Sequence, residues 1–157
     1  MNLKKHRTTL KLLSGSIFFA TILLLAFMVV KSGYFFEFDI DELYHANTAY
    51  LIAQGYSPFK DFFLPYSPLF HVSLIPLFTQ FGFTLETIQW TRLVMIALFA
   101  VRVVTAAVLV RMLFGTLAAI LFVPLLLLDP LTEYSSMQIR PDNLMLTVYV
   151  VGVWLLT

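Results

Sequence analysis

The sequence predicts an all-α, polytopic transmembrane protein with a surface-lying helix in an external loop between the first two spans. Of its 157 residues, 60% are hydrophobic and only 12% are charged, and the mean hydropathy is +0.88. So few polar residues cannot cover a soluble globule of this size. Several apolar stretches approach the roughly 20 helical residues that cross about 30 Å of hydrocarbon. Helices are expected there because a helix satisfies its own backbone hydrogen bonds in lipid.

Composition also excludes several classes of protein and site. The net charge is only +1 and aromatic residues do not alternate with basic ones, so no nucleic acid partner is predicted. The chain has no cysteine, which excludes disulfides and thiolate metal sites.

The apolar stretches predict five membrane spans within a single domain. These spans lie near residues 12–30, 66–84, 88–113, 115–128 and 143–157. The fourth is short and contains Pro124, so we expect it to be partial or shallow. The fifth stops at Thr157, about five residues short of a typical span. We therefore interpret residues 1–157 as the N-terminal part of a larger transmembrane domain.

Basic residues before the first span predict its orientation. There are four of them and no acidic residue: Lys4, Lys5, Arg7 and Lys11. The positive-inside rule then places the N-terminus in the cytoplasm. The apolar core is too long for a usual signal peptide, so we expect an uncleaved signal anchor. The prediction is a multi-pass protein of the plasma (inner) membrane, with loop 31–65 outside.

The external loop holds five of the nine acidic residues: Glu37, Asp39, Asp41, Glu42 and Asp61. Residues 41–54 predict a helix along the membrane surface, which Gly55 ends. On this helix Asp41 and Glu42 point about 100° apart, so one can act as a base while the other orients a hydroxyl or a cation. The alternative is that both only complement the helix dipole.

A histidine on the same helix raises the question of a metal. Glu42 and His45 have the Glu-x-x-His spacing found in carboxylate-bridged metal sites of helical bundles. A second such motif is absent, and His6 and His71 have no acidic neighbours at ligand spacing. No metal site is therefore predicted, and no organic cofactor is expected; a divalent cation held by Asp41 or Glu42 stays an alternative.

Arginines occupy two unusual positions. Arg102 lies near the middle of an apolar stretch, where a charge costs on the order of 3 kcal/mol or more, so we expect it to face the protein interior. Arg140 and Asp142 flank Pro141 at the entrance to the last apolar stretch. An arginine beside an acid suits phosphate binding, or Asp142 only caps the helix.

Three segments together resemble the first external loop of the GT-C glycosyltransferases. They are Asp39–Ala46, Pro58–Phe62 and Tyr66–Leu69. The most similar branch holds protein mannosyltransferases, lipid A aminoarabinose transferases and integral membrane glycosyltransferases of lipopolysaccharide cores. The resemblance implies an enzyme that transfers a sugar from a polyprenyl-phosphate carrier to a glycan, lipid or protein acceptor at the outer face. Tyr66 and Ser67 depart from the His-Gly of many relatives, which leaves the role of that histidine unfilled.

The same resemblance implies roles for single residues. Asp41 matches the loop aspartate that acts as the general base, and Glu42 matches the acid that often follows it. Asp61 matches the aspartate before the second span. The sequence Arg140-Pro141-Asp142 matches an Arg-x-Asp near the active site. We therefore predict Asp41 and Glu42 as catalytic, and the substrate-binding residues as His45, Asp61, Arg140, Asp142 and Arg102.

The predicted topology conflicts with this interpretation at one point. Five full crossings would place loop 129–142 on the cytoplasmic side, opposite Asp41, whereas an active site needs both outside. One of two stretches can fail to cross and so remove the conflict: the fourth, or the second, which Pro65, Pro68 and Pro76 interrupt. We favour a partial fourth span. Two interpretations from other classes remain: a transporter or channel fragment whose acidic loop forms a vestibule, and a noncatalytic membrane assembly protein.

Overall fold

The computed structural model describes residues 3–129, 132 and 135–157. These residues form six helices and no strand, and 78% of the structure is helical, which confirms the all-α fold class. The helices are α1 (Leu3–Phe35), α2 (Ile40–Ala53), α3 (Leu69–Phe81), α4 (Leu85–Phe114), α5 (Thr116–Leu127) and α6 (Pro141–Leu155).

Among the described residues, two helical segments are long and apolar enough to cross a membrane. They are Gly15–Phe35 within α1 and the whole of α4. Helices α3, α5 and α6 have 13, 12 and 15 residues. At 1.5 Å per residue each is about 20 Å long, short of the roughly 30 Å of hydrocarbon. The spans predicted near 66–84, 115–128 and 143–157 therefore appear as shorter apolar helices.

Helix α4 is the central element, and local sequence defines both of its ends. Its N-cap is Thr84, whose side-chain oxygen accepts a hydrogen bond from the backbone N–H of Thr87 at 3.1 Å. At its other end Gly115 has a φ of +88°, a conformation that glycine adopts without steric cost. The chain turns there and α5 returns along α4.

The half of α4 toward its C-terminus packs against α1 and α5. Side chains from all three helices and the segment before α6 form a small core of Val29, Phe99, Leu127 and Met137. Arg92, nearer the start of α4, meets the end of α1 at the carbonyls of Tyr34 and Phe36. Helix α1 therefore runs antiparallel to α4.

The half of α4 toward its N-terminus packs against α2, α3 and α6. Their main core consists of Ala46, Ala49, Phe70, Leu74, Phe78, Ile88, Met95 and Ile139. Asn143, near the start of α6, contacts Arg102. Thr147, one turn later, donates a hydrogen bond to the carbonyl of Leu98, which is one turn earlier in α4. Helix α6 therefore also runs antiparallel to α4.

Segment 135–140 lies beside the start of α2. The backbone N–H of Ile139 donates to Glu42 at 3.3 Å, and Arg140 contacts Asp39 and Asp41. Residues that are about 100 positions apart in the chain are therefore neighbours in the fold.

Candidate functional site

The first turn of α2 presents its two adjacent carboxylates to different surroundings. Asp39, the N-cap residue, has an extended backbone, and the helix begins at Ile40. Asp41 is 64% exposed, whereas Glu42 is fully buried. The 100° rotation between successive helical residues separates them in this way.

Glu42 forms a buried, bidentate ion pair with Arg92. The Nε of Arg92 lies 2.7 Å from Oε1 of Glu42, and its Nη2 lies 2.5 Å from Oε2. The side chains of Arg92 and Glu42 are only 1% and 0% exposed. The guanidinium also donates to the backbone carbonyls of Tyr34, Phe36 and Glu37. This pair ties the end of α1 to α2 and α4, and the geometry gives Glu42 a structural role behind the site.

Arg140 brings the two predicted motif regions together. Its Nη2 lies 3.0 Å from Oδ2 of Asp41 and 3.2 Å from Oδ2 of Asp39. Arg140 and Asp39 are partly exposed, at 24% and 27% of their side chains. The cluster of Asp39, Asp41 and Arg140 therefore faces an accessible surface and can meet a ligand.

His45 lies one helical turn beyond Asp41 and is 4% exposed. Burial lowers the pKa of His45 below its ordinary value of 6.5; the charges of Asp41 and Asp142 oppose this shift, and that of Arg140 adds to it. Asp41 precedes His45 by one turn of α2, Arg140 contacts Asp41, and Asp142 follows Arg140 by two residues at the start of α6. The structure thus brings together four of the predicted site residues.

The remaining predicted site residues have other surroundings. Arg102 donates to the hydroxyl of Ser136 at 2.5 Å and lies 3.5 Å from Oδ1 of Asn143. It faces the protein interior as expected, but its partners are a hydroxyl and an amide oxygen. The carboxylate of Asp61 accepts the backbone N–H of Ser57 at 2.7 Å and stabilises the turn of residues 57–61.

A second histidine, which sequence reasoning set aside, completes this region. Nδ1 of His45 lies 3.0 Å from Nε2 of His71, and His71 is fully buried. The ring of Tyr66 packs edge-on against His45 at 5.2 Å. A histidine within the apolar start of α3 was the available signal, but no sequence pattern indicated its partner.

Several buried polar atoms in this part of the structure lack a hydrogen-bond partner among the described residues. They are Nδ1 of His71, Nε of Arg140 and both polar atoms of the Gln138 side chain. Buried polar groups are normally hydrogen-bonded, so their presence favours a polar ligand or water here. Arg140 and the amide of Gln138 supply donors, which suits oxygen atoms of a phosphate or a sugar.

Comparison of the chain with protein-family models, with curated proteins and with solved structures found no match.

Proposed function

We propose that the protein is an integral membrane glycosyltransferase that transfers a sugar from a polyprenyl-phosphate carrier to an acceptor hydroxyl at the outer membrane face. The observation that carries this proposal is the ion pairing of Arg140 with Asp39 and Asp41. It joins an exposed carboxylate suited to act as a base with a cation suited to a phosphate.

In the proposed reaction Asp41 removes the proton from the acceptor hydroxyl. The hydroxyl oxygen forms a bond to the anomeric carbon of the sugar, with inversion. The bond from that carbon to the phosphate oxygen breaks, and polyprenyl phosphate leaves with the electron pair. Arg140 stabilises the developing negative charge on the phosphate. Asp142 and His45 lie beside these groups and orient the sugar.

Glu42 enters this proposal as a positioning residue and not as a base. Its oxygens are occupied by Arg92 and by the N–H of Ile139. By fixing both α2 and the residue before Arg140, it holds Asp41 and Arg140 at contact distance.

The proposed donor carries a lipid chain, and the structure has an apolar groove in which such a chain could lie. A cavity of about 590 Å³ lies between α1, α4 and α5, with walls of aliphatic and aromatic side chains. At one end Val30, Phe99 and Leu127 line it, next to Met137, which precedes Arg140 by three residues. A polyprenyl chain in this groove would place its phosphate end toward the site.

The proposal includes a membrane orientation and a set of partners. The N-terminus is cytoplasmic, α1 and α4 cross the plasma (inner) membrane, and α2 lies at the outer surface. The partners are the lipid bilayer, the polyprenyl-phosphate sugar and a glycan, lipid or protein acceptor.

A transporter is the second candidate, and one observation favours it. Helix α5 ends at Leu127 and α6 begins at Pro141, and both run antiparallel to α4. Helices α5 and α6 are short, follow one another in the chain and run in the same direction. In this they resemble the two halves of the discontinuous helices that form binding sites in transporters.

Sugar transfer distinguishes the two candidates. Membranes containing the protein are supplied with a panel of radiolabelled polyprenyl-phosphate sugars, and transfer is compared with membranes lacking it. We expect transfer by the wild type, loss of about 100-fold or more in Arg140→Gln, and partial retention in Arg140→Lys, since one transition-state contact of this kind is worth about 3 kcal/mol. No transfer with any donor, together with uptake of a labelled solute, would support the transporter.

A further inference from the structure

The turn after α2 presents aromatic rings to the outside of the molecule. Four of the eight residues from Tyr56 to Phe63 are aromatic. The side chains of Phe59 and Phe63 are 66% and 79% exposed, whereas that of Leu64, the next residue, is 1% exposed. A phenylalanine ring has no polar atom, so its exposure to water is unfavourable. Two apolar rings of this turn are therefore left uncovered by the rest of the described chain.

The backbone at Phe59 makes its exposure unusual. Its φ is +67°, and it is the only non-glycine residue with a positive φ in the part of the chain that the structure describes. Glycine adopts this conformation without steric cost, whereas a phenylalanine there is strained. Strained positions persist only where the surrounding structure imposes them, and they concentrate at functional sites. Because the Phe59 ring is exposed, packing inside the protein does not explain why this residue is a phenylalanine.

Hydrogen bonds hold the strained turn in one shape. The carboxylate of Asp61 accepts the backbone N–H of Ser57 at 2.7 Å, and the N–H of Asp61 donates to the carbonyl of Ser57 at 2.9 Å. The N–H of Phe59 donates to the carbonyl of Phe62 at 2.8 Å. The carboxylate of Asp61 therefore faces back into the turn, and the exposed side is left to Phe59 and Lys60.

The turn is also attached to the candidate site at both of its ends. After the turn, Leu64 is buried, and the ring of Tyr66 lies 5.2 Å from that of His45 on α2. Before the turn, the N–H of Tyr56 donates to the carbonyl of Leu51 in α2 at 3.1 Å. A partner that binds the turn therefore also sets the position of α2.

The chemistry of the exposed side fits a phospholipid surface. Phe59 and Phe63 offer only apolar area, which suits the boundary between headgroups and acyl chains. Lys60 lies between them in the chain, is exposed and has no ion-pair partner among the described residues. A lysine at this level reaches the lipid phosphates. A sugar would instead require hydrogen-bonding side chains, and the one carboxylate of this turn, Asp61, is engaged with Ser57.

We propose that residues 57–63 form a lipid-surface anchor, in which the rings of Phe59 and Phe63 insert among the headgroups and Lys60 contacts a lipid phosphate. The anchor fixes α2 at a set depth on the membrane surface. The place of the turn in the chain agrees with this, because it lies between α2 and the apolar helix α3, whose first residue, Leu69, is 69% exposed. The inference requires a membrane, but neither sugar transfer nor a particular side of the membrane.

Tryptophan fluorescence in phospholipid vesicles tests the insertion of the rings. Replacement of both native tryptophans by phenylalanine, at Trp90 and Trp154, gives a background in which Phe59→Trp or Phe63→Trp is the single reporter. Brominated phosphatidylcholine quenches a ring that lies among the lipids, whereas iodide on both sides of the membrane quenches a ring in water. Glu86→Trp, at an exposed acidic position, is the water-facing control.

We expect brominated lipid to quench the Phe59→Trp and Phe63→Trp reporters several-fold more than the Glu86→Trp reporter, and iodide to quench them several-fold less. Each reporter keeps an aromatic ring at its position, and helical content measured by circular dichroism checks that the fold is retained. Quenching of both turn reporters by iodide alone would overturn the inference. Protection of them from iodide by added saccharides, without quenching by lipid, would also overturn it and would indicate a sugar-binding surface.

Charge reversal tests the contact of Lys60 with phosphate. In the Phe59→Trp reporter protein, Lys60→Glu places a negative charge against the lipid phosphates, whereas Lys60→Gln only removes the positive one. We expect Lys60→Glu to reduce quenching by brominated lipid most in vesicles that contain phosphatidylglycerol. High salt should restore part of this loss, because it screens exposed charges. Equal quenching with lysine, glutamine and glutamate at this position would contradict the phosphate contact.

Discussion

At the scale of single residues, neighbouring side chains on α2 have separate tasks. Asp41 is exposed and contacts Arg140, Glu42 is buried against Arg92, and His45 contacts His71. Helical rotation alone explains why adjacent acids diverge, and this could be predicted from the sequence. The sequence could not predict which of the two acids is buried, because Arg92 is 50 residues from Glu42 and their pairing depends on tertiary packing.

The buried histidines predict a loss of stability in acid. The pKa of His71 falls from 6.5 to about 4 because the ring is buried and lies near His45. Between these values the unfolded chain binds more protons than the folded one, so stability rises with pH and is lost as pH falls from 6.5 to 4. Protonation of His71 lowers the free energy of unfolding by about 3 kcal/mol over this pH range. Protonation of His45 lowers it further.

Melting temperatures in detergent, measured from pH 7 to pH 4, check this prediction. His71→Gln serves as the control because it removes the group that titrates, while other carboxylates protonate equally in both proteins. Equal falls in the melting temperatures of the wild type and the variant would contradict the assigned cause.

At the scale of elements, one close approach fixes segment 135–140 against α1. A Cβ atom at Gly33 would overlap the Met137 side chain and lie 2.6 Å from its Cβ, which cannot move away without its backbone, so only glycine fits there. This contact helps to hold Arg140 near the start of α2. A glycine near the end of an apolar helix was visible in the sequence, but the element that approaches it was not.

Helix types were easier to predict than helix lengths. Apolar content indicated where helices lie, and Gly55 indicated where α2 ends. The stretch at α3 was expected as a span over residues 66–84, whereas the structure gives a helix of 13 residues. The stretch at α6 was expected to stop short of a full span, and its helix has 15 residues. Apolar content indicates burial in lipid or protein but does not define where a helix begins and ends.

The pairing of Glu42 with Arg92 predicts strong coupling between α2 and α4. Glu42→Leu should lower the free energy of unfolding by about 3–5 kcal/mol, because it leaves a buried guanidinium without its counter-charge. The double variant Glu42→Leu/Arg92→Leu should recover part of this loss, since it removes both charges.

Thermal unfolding of the two single variants and the double variant in detergent measures this coupling. Arg111→Leu is the control, since Arg111 is an exposed arginine of the same helix, and it should change stability by no more than about 0.5 kcal/mol. Additive losses in the double variant would contradict the coupling.

At the scale of the whole molecule, the proposed site requires segment 135–140 and Asp41 to lie on the same face of the membrane. Helices α5 and α6 both run antiparallel to α4, and segment 135–140 between them lies beside the start of α2. The proposed orientation therefore requires Lys60 and Asp142 on the outer side and Phe114, at the far end of α4, on the inner side.

Thiol labelling checks this sidedness, because the chain has no cysteine of its own. In intact cells a membrane-impermeant maleimide should label Lys60→Cys and Asp142→Cys. Phe114→Cys should react only after the membrane is permeabilised. Labelling of Asp142→Cys from the inside alone would place Arg140 and Asp41 on opposite sides and contradict the proposed site.

The most direct test of the proposed function is sugar transfer by Asp41→Asn at matched expression, with donor binding measured in parallel. Glu86→Gln is the matched control, because Glu86 is an exposed acid in the first turn of α4 with no role in the proposed site. We predict that Asp41→Asn retains donor binding and loses transfer by about 100-fold or more, as removal of a general base does, while Glu86→Gln stays near the wild type. Undiminished transfer by Asp41→Asn would contradict Asp41 as the base.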